Sequence, residues 1–552
     1  MGRQPPAGDP LRGQSVKTLL RLLAHLVAEV PPLLVAGLQL AHGWVPTSDD
    51  AVIAWRSWNV LSGPVPLDGQ FTQISTASGH AAFDLGPLQY FLLALPERVD
   101  PLHGVLWGAA VFSAVLAALA IEAARAAGGP VAMVATSLGL AGFFATVPEA
   151  AVNLAWNPTL GLYALAAALV SAMAVGTGRL GWLPVAVITA SLAAQCHVAY
   201  AAPALAALVV GLVVGLSWRS PGQRLLRPLL FAGLVGAACW VAPAVQQLTG
   251  RPGNGSVLAS SLGRHGRTMG IDFGLKAVGS ATVPPPSWSA RTPAIGPHLL
   301  HALYGRPALA GALALGLCAA ISLLALFTRR RGLGVLAAVG ALSGLATAWT
   351  LGSVPLAEAG YLQYYLYFVL WPVGMVAVAS VLAAIGALGA AAVRGRTGRP
   401  ELPARPALAA SALGSVALLG AGTLLTISEV AFGSSGLFLL GWQPVHFVAG
   451  AVPRAAALAR THSDGGAGAA PVALVVTGEL GFIDDAISQG IGYQLATAGV
   501  PIRLSPSAAR PLGDGLRARV GQPAIIVRIA TGGARPSETV SWGRWTTADA
   551  RT

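Results

Sequence analysis

Long apolar segments recur along most of this chain, and they restrict its fold more than any other feature. They begin at residue 18 and continue to about residue 430. A helix needs about 20 apolar residues to cross the hydrocarbon core of a bilayer, and most of these segments are that long. Only 10% of the 552 residues are charged and the mean hydropathy is +0.66, whereas a water-soluble protein exposes far more charge. The sequence therefore predicts a mainly α, polytopic membrane protein.

Eleven segments are predicted to be transmembrane helices. One apolar block, 182–218, is interrupted by Gln195-Cys-His197 and by Pro203, so we interpret it as two helices joined by a turn. Glu29 falls within the first segment, and we expect it at the level of the lipid headgroups. The predicted segments are residues 19–43, 102–124, 130–148, 158–177, 183–198, 201–218, 228–247, 302–327, 333–352, 363–387 and 407–430.

Arginines in the connections predict the orientation of the chain. Alternate connections carry between one and four arginines each, and the short ones between them, at 148–157, 198–201 and 353–362, carry no lysine or arginine. Because positive charge is retained on the cytoplasmic side, the N-terminus is predicted to be cytoplasmic and the tail from residue 431 extracytoplasmic. This pattern also accounts for most of the net charge of +13, so we expect no nucleic-acid partner.

The chain divides into two predicted domains. Residues 1–430 form the transmembrane domain, with large outer loops at 44–101 and 248–301, and residues 431–552 form a small extracytoplasmic α/β domain. In the first loop, the apolar piece 83–96 is too short to span and is predicted to be an interfacial helix. In the tail, short apolar strands alternate with a helix. The predicted strands are 472–477, 500–504 and 524–529, and the helix is 483–498.

Asp49 and Asp50 lie side by side just after the first predicted span, in a chain with only 21 acidic residues. A carboxylate at the outer face could act as the base that deprotonates an acceptor hydroxyl during transfer of a sugar. The alternative is structural: Thr47-Ser-Asp-Asp precedes an apolar helical run, and such residues commonly cap helices. Both interpretations can hold if one aspartate caps the helix and the other points into a site.

Other candidate residues lie in the remaining predicted outer connections, and each has a structural alternative. Glu149, Trp156 and Asn157 share one short connection, where a tryptophan is usually an interfacial anchor and Asn-Pro usually starts a helix. A basic cluster in the second loop suits a phosphate, since arginine donates two hydrogen bonds from a planar fork. The further candidates are His197, Arg264, His265, Arg267, Tyr361 and Tyr364.

These motifs resemble the GT-C superfamily of membrane glycosyltransferases. The similarity is greatest to an actinobacterial branch related to polyprenyl-phosphate-mannose mannosyltransferases and arabinofuranosyltransferases. It covers roughly residues 20–430. The resemblance implies a GT-C-like fold, a polyprenyl-phosphate-linked sugar as donor, and a catalytic base at Asp49 or Asp50. In place of the His-Pro-Gly-Pro motif of related proteins this chain has Asp84-Leu-Gly-Pro87, which leaves the role of Asp84 open. The motifs that carry the resemblance are Ser48–Asp50, Asp84–Pro96, Ala155–Pro158 and Ala194–Tyr200.

The sequence thus predicts an inverting glycosyltransferase in the cell membrane. Its acceptor would be a hydroxyl of a glycan, a glycolipid or a protein at the outer face of the bilayer. A divalent cation, Mg²⁺ or Mn²⁺, could bridge carboxylate and phosphate, although no ligand spacing in the sequence requires one. Two alternatives stay open: a transporter or flippase of lipid-linked sugars, and a non-catalytic scaffold of the cell envelope.

Overall fold

Transmembrane helices dominate the computed structural model of the chain. It contains eight helices long and apolar enough to cross a membrane, which makes the chain a multi-pass, mainly α membrane protein, as predicted. The structure describes residues 10–72, 80–146, 153–219, 224–264, 268–283, 286, 306–355, 361–397, 420, 452–453, 457, 471–477, 481–521, 523–530 and 537–546.

Two long helices, α1 (Pro10–Ala41) and α4 (Gly104–Thr146), pack side by side at the start of the bundle. Helix α4 is interrupted at Gly129, whose φ of 72° lies in the left-handed region that favours glycine. The interruption divides α4 into two apolar segments, which correspond to the second and third predicted spans. Between α1 and α4 lie two shorter helices, α2 (Ser48–Ser62) and α3 (Leu88–Val99), and between these a short antiparallel pair of strands, β1 (Phe71–Thr72) and β2 (Ala82–Phe83).

Helix α5 (Asn157–Gly176) is the centre of the bundle, and its apolar window is completely buried. It packs against α4, α6 (Leu183–Cys196) and α7 (Ala201–Ser217). The last two helices are separated by a 3₁₀ turn at Val198–Tyr200, so the predicted interruption of this apolar block is confirmed. The turn brings His197 close to the first residues of α5, because Asn157 donates a hydrogen bond to the Cys196 carbonyl.

The second half of the bundle contains a helix that the sequence did not predict. Residues Gly270–Thr282 fall within the predicted outer loop 248–301 but form the largely buried helix α10, packed among α11, α12 and α13. Gly274 and Gly279 allow this packing, since each lies directly against the backbone of a neighbouring helix. The helices of this half are α8 (Leu226–Thr249), α9 (Asn254–Arg264), α10, α11 (Ala308–Phe327), α12 (Arg331–Gly352), a 3₁₀ helix (Tyr361–Val369) and α13 (Leu370–Thr397).

Ten of the eleven predicted spans therefore coincide with described helices or helix segments. The eleventh, 407–430, lies outside the described residues except for residue 420. The segment 183–198 was predicted to be short, and the corresponding α6 has 14 residues.

The C-terminal residues form a small α/β domain around a four-stranded sheet, as predicted. The strand order is β4-β3-β5-β6, with β3 parallel to both of its neighbours and β6 antiparallel to β5. The sequence missed β6, because its polar residues lack the apolar run that marked the other strands. The elements are β3 (Val472–Thr477), α14 (Gly481–Thr497), β4 (Ile502–Leu504), α15 (Pro506–Ala509), β5 (Pro523–Ala530) and β6 (Ser537–Arg544).

Candidate functional site

Asp49 and Asp50 lie in the first turn of α2, which follows α1 after a short connection. Thr47 occupies the N-cap position, and no side chain makes a capping hydrogen bond there. Ser48 has a φ of 51°, which is rare for a residue other than glycine and is a strained conformation of the kind often held at functional sites. The Asp49 carboxylate is bonded to side chains of other elements, so the expectation that one aspartate caps α2 does not apply to it.

Asp49 is held by two neutral donors. The Gln70 Nε2 donates to Oδ1 at 3.0 Å, and the indole Nε1 of Trp156 donates to Oδ2 at 2.8 Å. Gln70 is itself fixed by the hydroxyl of Tyr90, which donates to its Oε1 at 3.0 Å. This carboxylate therefore joins the start of α2 to the loop before β1 (Phe71–Thr72), to α3 and to the residue that precedes α5.

The environment of Asp50 differs from that of Asp49. Within the described part of the chain its carboxyl makes no hydrogen bond, and both aspartates are half-buried. Burial raises the pKa of Asp50 to about 7, and the neighbouring charge of Asp49 contributes. Burial also raises the pKa of Asp49, but the hydrogen bonds from Trp156 and Gln70 favour its charged form. Asp49 is consequently the member of the pair that ionises first.

A third carboxylate, Asp84, lies beside this pair. The short strand β2 (Ala82–Phe83) pairs with β1, and the Asp84 N–H donates to the Gln70 carbonyl at 2.7 Å. The side chain of Asp84 is 2% exposed; its oxygens accept from Asn157 Nδ2 at 3.1 Å and from the Val198 N–H at 3.0 Å. Burial raises the pKa of Asp84, with a contribution from Asp49. Because both oxygens of this buried carboxylate are occupied, Asp84 ties β2 to α5 and the turn after α6.

An aromatic wall, formed by Trp156, Tyr365 and His197, extends from Asp49. The ring of Tyr365 contacts Trp156 and His197, with centroids 5.1 and 5.4 Å apart. The His197 Nδ1 accepts from the Ala199 N–H at 3.2 Å, and burial lowers the pKa of His197 to about 4. The imidazole is therefore neutral with its proton on Nε2, which makes His197 an uncharged hydrogen-bond donor.

A buried arginine supports the site from the opposite side of the loop. Arg56 lies two turns after Asp49 on α2, and its guanidinium packs over the ring of Tyr90, 4.9 Å from the centroid. It forms an ion pair with Asp68 and donates to the Gly69 carbonyl at 3.0 Å. Arg56 thereby fixes the loop that presents Gln70 to Asp49, and its charge is compensated.

The structure brings together four of the predicted residues: Asp49 contacts Trp156 directly, Asn157 follows in sequence, and His197 is linked through Tyr365. Asp50 adjoins Asp49 on α2. Glu149, His265 and Arg267 lie outside the described residues, and only the backbone is described at Arg264, Tyr361 and Tyr364. On α10, Lys276 forms an ion pair with Asp272 at 2.6 Å.

The sequence missed other residues that build this site. Gln70 carries no motif at all, and Asn254 bonds the backbone of Phe83 with both its oxygen and its nitrogen, each at 2.9 Å. Tyr365 belongs to the same aromatic group before α13 as the predicted Tyr361 and Tyr364. Among the residues that the structure describes, no group of three histidine, cysteine or acidic side chains is arranged to hold a metal ion.

In comparisons with known proteins, this chain is similar only to solved structures. No family model matches this chain, and no curated protein matches it. Among solved structures, ArnT from Cupriavidus metallidurans bound to undecaprenyl phosphate aligns over 94% of this chain and 93% of its own, with 14% identity and a TM-score of 0.47. Its apo state gives the same values. The apo oligosaccharyltransferase of Archaeoglobus fulgidus aligns over 78% of this chain and 57% of its own, with 14% identity and a TM-score of 0.34. At these identities and TM-scores, the similarities assign neither a family nor a function to this chain.

Proposed function

We propose that this protein is a GT-C-type membrane glycosyltransferase that moves a sugar from a polyprenyl-phosphate donor to an acceptor hydroxyl. The observation that carries the proposal is the Asp49 carboxylate, held by Gln70 and Trp156 beside an aromatic wall in a multi-pass membrane protein. Its donors fix the position of the carboxylate without neutralising it. A carboxylate fixed in this way next to aromatic faces suits the activation of a sugar or glycan hydroxyl.

In the proposed reaction Asp49 takes the proton of the acceptor hydroxyl as its oxygen attacks the anomeric carbon of the donor sugar. The new glycosidic bond forms as the bond from that carbon to the phosphate oxygen breaks, and the polyprenyl phosphate leaves with the electron pair. Attack opposite the leaving group inverts the configuration. Asp50, whose pKa is raised to about 7, is partly protonated at neutral pH and so limits the repulsion between the two aspartates.

The leaving phosphate needs positive charge or hydrogen-bond donors. We assign this role to Arg264, the last residue of α9, to His265 and Arg267, which follow it in the sequence, and to the Nε2–H of His197. Helix α9 begins at Asn254, whose side chain is bonded to β2 beside Asp84, so its start is tied to the site. Tyr361, Tyr364 and Glu149 are proposed to contact the sugar or the acceptor. A Mg²⁺ or Mn²⁺ ion, if it takes part, would be held by a carboxylate of the site and would supply positive charge for the leaving phosphate.

The arginine-rich connections support an orientation with the N-terminus in the cytoplasm. In that orientation Asp49 and the C-terminal domain face the outside, where a lipid-linked donor and a cell-envelope acceptor meet. The acceptor would be a glycan, a glycolipid or a protein. We propose mannose and arabinofuranose as the first donor sugars to test.

The experiment uses purified full-length protein in proteoliposomes that contain radiolabelled polyprenyl-phosphate mannose or polyprenyl-phosphate arabinofuranose, with an envelope glycan extract as acceptor. The proposal predicts a labelled glycosidic product with inverted configuration. Movement of label between leaflets without product would support a flippase instead. Binding of the glycan without either event would support a scaffold.

A further inference from the structure

The C-terminal domain is packed against the helix that carries the carboxylate pair. On α2, Trp55 is 4% exposed, and its ring lies 6.2 Å from that of Tyr493 on α14. Gly492 permits the close approach, since a Cβ at that position would lie 3.2 Å from the Trp55 ring. Arg56 also reaches the C-terminal domain, donating to the Pro511 carbonyl at 3.4 Å. Any movement of α14 would therefore be transmitted to α2.

A buried hydrogen bond joins the same tyrosine to α3. The Tyr493 hydroxyl contacts Glu97 Oε1 and donates to the Pro101 carbonyl at 2.8 Å. Glu97 is completely buried, and its Oε2 has no hydrogen-bond partner within the described part of the chain. A tyrosine has one proton for these two acceptors, and a carbonyl can only accept. Both contacts are satisfied when the Glu97 carboxyl is protonated and donates to the hydroxyl oxygen.

The surroundings of Glu97 favour this neutral form. Its pKa is raised to about 8, first by burial and further by the charge of Asp100, although the hydrogen bonds from Tyr493 and the Val105 N–H oppose the shift. Asp100 is itself paired with His103 at 3.2 Å, and α2 presents the uncharged Trp55 to Tyr493. The acid is therefore mainly neutral at pH 7 and becomes charged as the pH rises through about 8, and no described lysine, arginine or histidine forms an ion pair with it.

We propose that Tyr493 and Glu97 are positioning residues for the proposed reaction: their hydrogen bond clamps α14 against α3 and α2, and this clamp holds Asp49 in contact with Gln70 and Trp156. The inference rests on the proposed function for its effect on catalysis, whereas the clamp itself is independent of it. The C-terminal domain then acts as a structural part of the active site and not only as an appended module.

Three conservative variants test the clamp in full-length protein in nanodiscs. Tyr493→Phe removes the hydroxyl but keeps the ring against Trp55, and Glu97→Gln keeps a neutral side chain that can donate to the hydroxyl. The matched control is Tyr163→Phe, because the Tyr163 hydroxyl is buried and makes no hydrogen bond among the described residues. Amide hydrogen exchange of residues 48–62 reports on α2 without any need for activity.

In Tyr493→Phe the hydrogen bonds of the hydroxyl with Glu97 and with the Pro101 carbonyl are both lost, so protection of residues 48–62 should fall at least about tenfold, while Tyr163→Phe and Glu97→Gln stay near wild type. The kcat for transfer from the labelled polyprenyl-phosphate sugars should fall by a similar factor, with an unchanged KM for the donor. Because the folded-state pKa of Glu97 is raised from its usual 4.5 to about 8, wild-type protection should be greatest below about pH 4.5, decline as the pH rises towards 8, and level off above it. Glu97→Gln should abolish that decline.

Unchanged protection of α2 in Tyr493→Phe would overturn the clamp, as would a Glu97→Gln variant that loses protection at high pH like the wild type. A fall in protection with unchanged kcat would overturn the positioning role. If the wild type transfers neither sugar, the proposed function fails, and the exchange data still decide whether the clamp exists.

Discussion

The negative charges of two groups of carboxylates in this protein are stabilised differently, one by neutral hydrogen-bond donors and the other by ion pairs. The first is the carboxylate pair, Asp49 and Asp50, which has only neutral donors at Asp49 and no hydrogen bond from the described residues at Asp50. The second is an ionic cluster between α1 and α4. There Glu122 is bonded to Arg21 at 2.7 Å, to His25 at 3.0 Å and to Arg125 at 2.7 Å, and His25 also bonds Glu29 at 2.5 Å. The ionic cluster consists of Arg21, His25, Glu29, Glu122 and Arg125.

The difference separates a structural role from a chemical one. A carboxylate between two arginines is a weak base, because proton transfer to it would break its ion pairs. Such a cluster ties two apolar helices together and keeps their charges satisfied. Neutral donors, by contrast, fix the position of Asp49 and leave its charge available to a substrate proton. This contrast predicts that equal changes in the two groups will have unequal effects on activity and stability.

The largest effect is expected for Asp49→Asn. Loss of the base should lower kcat about 100-fold to 10,000-fold, as measured by sugar transfer in proteoliposomes. The matched change in the ionic cluster, Glu122→Gln, should leave the kcat of the folded protein within about twofold of wild type. Equal losses of kcat in Asp49→Asn and Glu122→Gln would contradict the assignment of a chemical role to the first group and a structural role to the second.

The next largest effect is expected for Trp156→Phe, which deletes the indole N–H that donates to Asp49 but keeps an aromatic ring beside Tyr365. We expect kcat to fall about tenfold. The indole bond favours the charged form of Asp49, so its loss should also raise the pKa of Asp49 and move the acidic limb of the pH–rate profile to higher pH. Trp349→Phe is the control, since Trp349 is 56% exposed. An acidic limb that stays in place would show that the bond does not act on the base.

A smaller effect, on stability alone, is expected in the ionic cluster. Glu122→Gln leaves Arg21 and Arg125 without their shared anion, and the free energy of unfolding in detergent should fall by about 1–2 kcal/mol. Glu29→Gln should cost less, because its only ion pair within the described residues is with His25. A larger loss of stability in Glu29→Gln than in Glu122→Gln would contradict the view that Glu122 is the main anion of the ionic cluster.

The smallest effect is expected for Asp50→Asn. The pKa of Asp50 is raised to about 7, so in the wild type a second charge appears beside Asp49 as the pH rises through neutrality. The pH–rate profile should show an inflection near pH 7 of no more than about threefold, and the variant should lack it. Persistence of the inflection in Asp50→Asn would assign it to another group.

Much of the fold was predictable because a bilayer imposes a length on every helix that crosses it. Helix α10 was not, since its 13 residues are too few to indicate a span and its burial depends on close contacts of Gly274 and Gly279 with distant helices. In the site, the rarity of acidic residues pointed to Asp49 and Asp50. Gln70 and Tyr365 carry no comparable signal, because only the tertiary fold brings them to Asp49 and Trp156.

The directions in which the site side chains point could not be predicted from the sequence either. Trp156 and Asn157 were interpreted mainly as an anchor and a helix start, and they do precede and begin α5. Their side chains also bond Asp49 and Asp84, two carboxylates from separate parts of the first predicted loop. Adjacent residues diverge in direction at a helix start, so one short motif can serve two partners, and periodicity alone does not reveal which partners these are.

The role of Asp49 as a base is tested most directly with azide as the acceptor. Azide is a nucleophile that has no proton to lose, so it bypasses general-base catalysis while still requiring the donor to bind and the phosphate to leave. In Asp49→Ala, transfer to a hydroxyl acceptor should be lost, whereas a glycosyl azide should form from the polyprenyl-phosphate sugar at about the wild-type rate. Loss of both reactions would contradict the account, because Asp49 would then be needed to bind the donor or to expel the phosphate.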